Sequence, residues 1–172
     1  MKFIHEIYPM LITFLVLIGN VSCNESKPIN PFKTYKSMTI TLDSGEKIST
    51  YIAHSAEDQS LGLSLVKPDE FGDADAMLFT GEHFKTRQFW MPETFFNLDL
   101  FFLGPDMKVL DIQRDLQHHT KRFPKKDVPL SKFSYCQHVL EMKSTSPISA
   151  KIKVGMILKG EPSLSQIISN TH

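Results

Sequence analysis

The sequence predicts a mainly β fold: a compact β-sandwich, jelly-roll-like or barrel-like single domain with one or two short helices. Three observations support this class. Many short segments alternate apolar and polar residues, as strands with one buried face do. Turns containing glycine or proline separate these segments. Only two short stretches carry helix signals. A length of 172 residues suits one domain of this kind.

The N-terminus, residues 1–22, is predicted to be a secretory signal peptide. Lys2 precedes the apolar run Leu11–Ile18, which is too short for a transmembrane helix of roughly 20 apolar residues. The sequence Asn20-Val21-Ser22-Cys23 resembles a bacterial lipobox. We therefore expect a lipid on Cys23 that anchors the protein to a membrane. Ordinary cleavage nearby, which would leave a soluble periplasmic protein, is the alternative.

The mature chain is divided into three predicted parts. Residues 23–36 are polar and carry two prolines, so we expect a tether between membrane and domain. The β-rich domain is predicted over residues 37–160, and a polar, flexible tail over 161–172. By similarity to Gram-negative lipoproteins, Asn24 in place of Asp predicts an outer-membrane lipoprotein that faces the periplasm.

The predicted strands follow one another between turns. Ser37–Leu42 and Lys47–His54 alternate around a glycine turn and predict a hairpin. Asn97–Leu103 is apolar except for Asn97 and Asp99, so both of its faces should be covered. The other predicted strands are Ala76–Phe79, Thr86–Met91, Met107–Gln113, Ser134–Met142 and Met156–Lys159.

The helix signals are two short capping patterns. Ser55 is predicted to cap a helix that ends at Gly62, since acidic residues occupy its first turn. Ser146–Lys151 is predicted to form one helical turn with a proline at its start. The segment Arg114–Leu130 is long, polar and charged, and it predicts a loop of the length that is often functional or mobile.

Composition and cysteine count exclude some classes of function. Nineteen basic and nineteen acidic residues cancel, which argues against a nucleic-acid-binding protein. No histidine pair has metal-binding spacing, so we expect no metal and no cofactor. Cys136 is expected to be a small buried apolar residue. If Cys23 carries no lipid, a Cys23–Cys136 disulfide is the alternative.

Several short motifs stand in a characteristic order along the chain. They are Gly62-Leu63, Met77-Leu78-Phe79, Phe89-Trp90-Met91, Thr94, Leu98-Asp99, Val139-Leu140-Glu141 and Val154-Gly155. In this order the chain resembles the domain of unknown function 192 family over roughly Ser37–Lys159. The resemblance implies a compact, jelly-roll-like β fold that is often exported or membrane-anchored and has no established activity. The family tends to have Lys-Asn where this chain has Pro92-Glu93, which removes a cation beside the Trp.

The candidate site centres on Arg87–Leu103, which holds the only tryptophan and is interpreted as two strands around a turn. Asp99 is the leading candidate for a functional residue, because an ionised carboxylate is costly to bury unless it is paired. One interpretation is that Asp99 is structural and bonds to backbone amides, to Thr94 or to Arg87. The other is that it acts as a general base or a ligand-binding carboxylate. Trp90 either fills the core or stacks on a sugar or peptide ring.

Three functions are compatible with these residues. We expect an exported, lipid-anchored β domain that binds a ligand or serves as an accessory envelope protein, with an envelope glycan or protein as partner. The first alternative is a small envelope hydrolase that acts on cell-wall sugars through Asp99 with Glu141 or a histidine. The second is a purely structural or assembly protein. The ligand-binding candidates are Trp90, Asp99, Arg87, Glu141, His118 and His119.

Overall fold

The structure, a computed structural model, describes residues 31–169, and these residues form a mainly β fold. The elements in chain order are β1 Lys36–Thr41, β2 Lys47–Ala53, α1 Ala56–Leu61, β3 Asp75–Phe79, β4 Lys85–Arg87, β5 Leu98–Leu103, β6 Val109–Leu116, β7 Ser134–Cys136, β8 His138–Lys143, β9 Lys159–Glu161 and α2 Leu164–Ser169. Short 3-10 turns lie at Lys125–Asp127 and Ser149–Lys151. The predicted mainly β class with short helices is confirmed.

Seven of these strands form one mixed sheet in the order β6-β5-β8-β3-β2-β1-β9. Strands β4 and β7 pair separately as a two-stranded sheet. Neighbouring strands run antiparallel except β2 and β3, which are parallel and are connected through α1. The large sheet is not closed into a barrel. Of the alternative architectures that the sequence predicts, the barrel is therefore not the one that forms.

The large sheet buries both of its faces, and each face has its own core. The first core includes Ile40, Phe101, Leu140 and Met142, and the helix α2 contributes Ile167 to it. The second core includes Phe71, Met77, Leu100, Phe102 and Val139. All six residues of β5 are buried. This confirms the expectation that the strand within Asn97–Leu103 is covered on both faces.

The helix α1 begins and ends where its capping residues predict. The Ser55 hydroxyl accepts a hydrogen bond from the Asp58 N–H at 3.0 Å. Gly62 ends the helix with a φ of +51°, a conformation that costs glycine little. A Cβ at Gly62 would also lie 3.0 Å from the Phe79 ring. The residue after α1 is therefore restricted to glycine by backbone angle and by packing.

The predicted hairpin between Thr86–Met91 and Asn97–Leu103 is wrong. Strand β4 ends at Arg87 and pairs with β7, whereas β5 pairs with β6 and β8. Residues 88–94 bond instead to the segment 119–131, as when the Met91 N–H donates to the Pro129 carbonyl at 3.2 Å. Alternation indicates which face of a strand is buried but carries no information about its pairing partner.

The predicted strand Ser134–Met142 is divided at Gln137 into β7 and β8. The Gln137 N–H donates to the Leu103 carbonyl at 2.9 Å, which marks the point where the chain leaves the small sheet for the large one. Strand β6 continues three residues beyond the predicted Gln113, into the segment expected to be a loop. The exchange of pairing partners at Gln137 depends on distant parts of the chain.

The two ends of the chain differ in how far the structure describes them. In the expected flexible tail, residues 164–169 form α2, and Ile167 is buried in the first core. In the expected tether, Phe32 is buried in the second core. The predicted signal peptide, the predicted lipidation residue Cys23 and residues 170–172 lie outside the described residues.

Asp99 in β5 connects three segments through an ion pair between its buried carboxylate and the partly exposed guanidinium of Arg114. Its carboxylate accepts from Arg114 Nη1 at 2.5 Å, from the Ser149 hydroxyl at 2.5 Å and from the Asp115 N–H at 2.9 Å. Arg114 also donates to the carbonyls of Ser149 at 3.0 Å and Ile152 at 2.7 Å. The pair therefore fastens the 3-10 turn Ser149–Lys151 to β5 and β6.

The predicted pairing of Asp99 with Arg87 or Thr94 is thus corrected to a pairing with Arg114. The Thr94 hydroxyl donates to the Pro92 carbonyl at 3.3 Å. Asp99 does accept a backbone amide, as one of the predicted arrangements required. Both carboxylate oxygens are engaged by donors within the protein, so the cost of burying this charge is offset internally.

Arg114→Met should lower the free energy of unfolding by about 3 kcal/mol, because it leaves the Asp99 carboxylate buried without its counter-charge. The matched control is Arg122→Met, which removes a partly exposed pair with Glu93 whose Nε–Oε2 distance is 2.8 Å. That change should cost less than about 1 kcal/mol. Urea denaturation of both variants measures the difference, and equal losses would contradict the structural role given to Asp99 and Arg114.

Candidate functional site

Two of the recesses that adjoin α1 contain candidate functional side chains. The first, here called the Arg87 pocket, has a volume of about 300 Å³. Its lining residues are His54, Ala56, Gln59, Thr80, Gly81, Glu82, His83, Lys85 and Arg87. The second, here called the Glu141 cavity, is smaller, at about 40 Å³. Its lining residues are Gln59, Ser60, Leu61, Gly62, Leu63, Ser64, Phe79, Phe89, Trp90, Met91, Pro92, Thr94, Leu98 and Glu141.

The Arg87 pocket lies at the carboxyl ends of the parallel strands β2 and β3. Because the strands are parallel, the segments that leave them meet at one edge of the sheet. His54 follows β2, and Thr80 follows β3. Gln59 of α1 holds these segments together, since its Nε2 donates to the Thr80 carbonyl at 2.7 Å and the His54 carbonyl at 3.2 Å. These hydrogen bonds from a side chain to the backbone fix the part of the lining where α1 meets the two strand ends.

Arg87 enters this pocket from β4 and packs closely on Gly81. A Cβ at Gly81 would collide with Arg87 Nη2 and with the Gln137 carbonyl oxygen, so only glycine leaves room for the guanidinium there. Within residues 31–169, Arg87 Nε is buried and has no hydrogen-bond acceptor. Burial lowers the pKa of Arg87 below its usual value. The half-buried guanidinium is thus a cation whose desolvation is not offset by an anion.

The charges around Arg87 favour an anion. Lys85 adds a second cation, His54 and His83 add imidazoles, and Glu82 is the one acid in the lining. His54 Nδ1 lies 2.7 Å from the Thr80 hydroxyl, which fixes the orientation of its ring. A guanidinium presents donors in a planar fork that matches a carboxylate or a phosphate. The pocket therefore has the chemistry of an oxyanion site.

A neighbouring groove of about 600 Å³ shares His54, Thr80, Gly81 and Glu82 with this pocket and adds His138. The Gly81 N–H donates to His138 Nδ1 at 3.1 Å, so the neutral ring carries its proton on Nε2. Burial, with Arg87 as a smaller contributor, lowers the pKa of His138 to about 4. At neutral pH His138 is therefore an uncharged donor beside the Arg87 pocket.

The Glu141 cavity contains a buried carboxyl group without a partner. Glu141 lies in β8, is 4% exposed, and has neither a hydrogen bond nor an ion pair through its side chain within the described residues. Its neighbours in register on the adjoining strands are the apolar residues Met77 and Leu100. Burial raises the pKa of Glu141 to about 8. A raised pKa in a recess is a physical mark of functional carboxyl groups.

Trp90 forms part of the wall of the Glu141 cavity and is 39% exposed. Its backbone pairs with Leu130. Lys125 Nζ lies 5.8 Å from the centre of its ring. The cation that the family tends to carry after Trp-Met is missing from that position, but the segment Arg114–Leu130 brings another lysine to the same ring. Trp90 is therefore neither a fully buried core residue nor a free surface residue.

The predicted site residues are thus divided among separate places. Trp90 and Glu141 share one cavity, and Arg87 lies in another pocket. Asp99 and Glu141 point to opposite faces of the sheet, because Asp99 pairs in register with Met142, the residue next to Glu141. The predicted carboxylate pair for glycoside hydrolysis is therefore not formed. Trp90 and Asp99 do not share a cleft, because Asp99 lies on the face of the first core.

The two histidines predicted to bind a ligand, His118 and His119, also lie in different surroundings. His118 is exposed, and its Nδ1 lies 2.7 Å from the Asn97 side-chain oxygen. His119 has a buried Nε2 without a partner within residues 31–169, and its carbonyl accepts from the Thr94 N–H at 3.0 Å. Between Pro31 and Ser169 no group of three or more His, Cys, Asp or Glu side chains could hold a metal ion.

Cys136 is a free, buried thiol of the second core. Burial raises the pKa of this thiol, and Arg87 lowers it by less, so the group is protonated at neutral pH and unsuited to nucleophilic attack. His138, two residues further along the chain, belongs to β8 and lies beyond the break at Gln137. The interpretation of Cys136 as a small buried apolar residue agrees with these surroundings.

Sequence reasoning missed most of the Arg87 pocket. His54, Gly81, His83 and Lys85 belong to two separate stretches of chain, and none forms a motif with its sequence neighbours. One signal was present: Thr80-Gly81 follows a buried strand, the position at which functional loops often begin.

Across residues 31–169, no helix has the length and apolar character needed to cross a membrane.

Two solved structures resemble this fold. A crystal structure from Sinorhizobium meliloti 1021, described as that of a candidate transcription regulator, matches with a TM-score of 0.60 and 19% identity, covering 75% of this chain and 97% of its own. A protein of unknown function from Novosphingobium aromaticivorans matches with a TM-score of 0.56 and 23% identity, covering 73% and 84%. At these identities the likeness shows the fold alone.

No curated protein matches the chain. One protein family does: the family DUF192, described as an uncharacterized ACR, matches residues 38–160. These residues run from β1 into β9 and include both recesses around α1. The match spans most of the chain and agrees with the order of motifs from Gly62 to Gly155. The chain therefore belongs to the domain of unknown function 192 family.

Proposed function

We propose that this protein binds a small oxyanion, a carboxylate or phosphate group of an envelope glycan or peptide, in the Arg87 pocket. The observation that carries the proposal is the buried Nε of Arg87, which has no acceptor within the described residues. Leaving a buried donor unsatisfied costs about 1 to 3 kcal/mol. A bound oxyanion would offset the desolvation of the guanidinium as a whole, because it supplies a counter-charge and acceptors in the geometry of the guanidinium fork.

The surroundings of Arg87 support this ligand class. Lys85 is a second cation in the lining, and His138 provides an uncharged donor in the adjoining groove. Gly81 keeps space for the guanidinium at the pocket wall. These groups suit binding, and we assign no reaction to them, because neither Cys136 nor Asp99 supplies a nucleophile or base there. The balanced charge of the chain argues against a nucleic acid as the source of the phosphate.

The proposal includes a location for the protein in the cell envelope. The apolar run Leu11–Ile18 followed by Ser22-Cys23 supports export and lipidation of Cys23. A lipid anchor would hold the domain on the outer membrane, facing the periplasm, where glycans and peptides with carboxylate groups are available. A soluble periplasmic protein would meet the same ligands if Cys23 were not lipidated.

Arg87→Met should weaken binding of inorganic phosphate, acetate or glucuronate by about 10- to 100-fold, the range expected for a hydrogen bond to a charged group. The same change should leave the free energy of unfolding unchanged or raise it by about 1 kcal/mol, because it removes an unsatisfied buried donor. Isothermal titration calorimetry of the panel and urea denaturation measure the two effects.

The matched control for Arg87→Met is Arg122→Met, since Arg122 is paired with Glu93 outside the pocket. It should leave binding unchanged. Gly81→Ala should also weaken binding, because a Cβ at that position displaces the guanidinium. If the wild-type protein binds none of the oxyanions, or if Arg122→Met reduces binding as much as Arg87→Met does, the proposed site is wrong.

Cys23→Ser should abolish incorporation of labelled palmitate in a Gram-negative host and move the protein from the membrane to the soluble fraction. The physical reason is that the thiol of Cys23 is the proposed attachment point of the lipid. Cys136→Ser is the control and should keep the label, because Cys136 is buried in the folded domain. A wild-type protein that stays unlabelled and soluble would overturn the lipid anchor.

A further inference from the structure

We propose that the Glu141 cavity is a second binding site, separate from the Arg87 pocket, and that it takes a primary alkylammonium group, such as the end of a lysine-like side chain, beside Trp90. The carboxyl group of Glu141 lines this cavity, is 4% exposed and has no partner within the described residues. A buried carboxyl group without a partner is unfavourable unless something offsets its desolvation. A ligand that donates hydrogen bonds to it would do so.

The polar groups of the cavity select a donor rather than an acceptor. The hydroxyls of Ser64 and Thr94 both donate to the Pro92 carbonyl, at 2.8 and 3.3 Å. Gln59 Nε2 is engaged by three backbone carbonyls. With these donors occupied, a bound anion would meet the Glu141 carboxyl and few groups able to stabilise it. A ligand that brings its own N–H donors is complementary to what the cavity leaves unsatisfied.

The aromatic residues favour a cation over a neutral donor. Phe79, Phe89 and Trp90 line the same cavity as Glu141. Aromatic faces attract ammonium groups through the ring quadrupole, and a carboxylate adds an opposite charge. Lys125 already demonstrates this affinity within the protein, since its ammonium lies 5.8 Å from the Trp90 ring centre. Rings and a carboxylate together are the features that recognise an alkylammonium ion.

The size of the cavity restricts the ligand to the end of a chain. A volume of about 40 Å³ has room for about three water-sized groups, since one water needs roughly 10 to 15 Å³. An ammonium and its adjoining methylene groups fit this space, whereas a sugar ring does not. Trp90 is 39% exposed, so the remainder of a longer ligand would extend past it toward solvent.

Binding of an ammonium ion should be linked to proton release from Glu141. Glu141 is the one ionisable side chain among the lining residues. Lys125 lies over Trp90, and the paired Glu93 and Arg122 belong to the adjoining segments. The pKa of Glu141 is raised to about 8, so the free cavity holds a neutral acid at pH 6. Pairing with a cation requires the carboxylate, and affinity should therefore rise about 50-fold from pH 6 to pH 8.

The experiment titrates the full domain with n-propylammonium and 1,5-diaminopentane and follows the fluorescence of Trp90, the single tryptophan of the chain. We expect a saturable change in emission whose affinity increases with pH. Glu141→Gln, which keeps the side-chain shape, should lower the affinity at pH 8 by at least tenfold and abolish its pH dependence. Glu93→Gln is the matched control and should change neither, since Glu93 lies outside the lining.

Two results would overturn the proposal. Equal affinity for 1-propanol would show that the cavity selects neither charge nor ammonium. Absence of any saturable response in the folded wild-type protein between pH 6 and pH 9 would exclude the site. The test is independent of the Arg87 pocket, because Glu141→Gln should leave phosphate binding unchanged and Arg87→Met should leave ammonium binding unchanged. Far-ultraviolet circular dichroism establishes that each variant is folded.

Discussion

The large sheet is buried on both faces, and this constraint decides what its polar residues can do. Side chains along a strand alternate between faces, so each residue of β5 and β8 lies on the face of one core or of the other. Asp99 and Glu141 belong to adjacent pairs in the register of the same two strands, yet alternation directs them into different interiors. Two carboxyl groups that are close in the sheet therefore experience unrelated surroundings.

The two interiors treat their carboxyl groups in opposite ways. Asp99 is surrounded by donors: Arg114, the Ser149 hydroxyl and a backbone amide. It therefore acts as a structural tie between strands and the turn that covers the first core. Glu141 is surrounded by apolar and aromatic side chains, and burial raises its pKa to about 8. A carboxyl group stabilises the fold on one face, whereas on the other face a carboxyl group is proposed to bind a ligand.

The parallel pairing of β2 and β3 produces the second feature of the fold, the Arg87 pocket. In a sheet of otherwise antiparallel strands, this one parallel pair places the start of α1 and the segment after β3 at the same edge. The small sheet of β4 and β7 then brings Arg87 to that edge, and Gly81 admits its guanidinium. Oxyanion binding is proposed where three separate parts of the fold converge.

The sequence by itself determined the class of fold, the ends of α1, the complete burial of β5 and the membership of the family. These features depend on local rules: alternation, capping and glycine at a left-handed position. Tertiary structure alone decided the partner of Asp99, the division of the strand at Gln137 and the meeting of Trp90 with Glu141. Each of these depends on which distant segments pack together, and that is a property of the whole chain rather than of any local pattern.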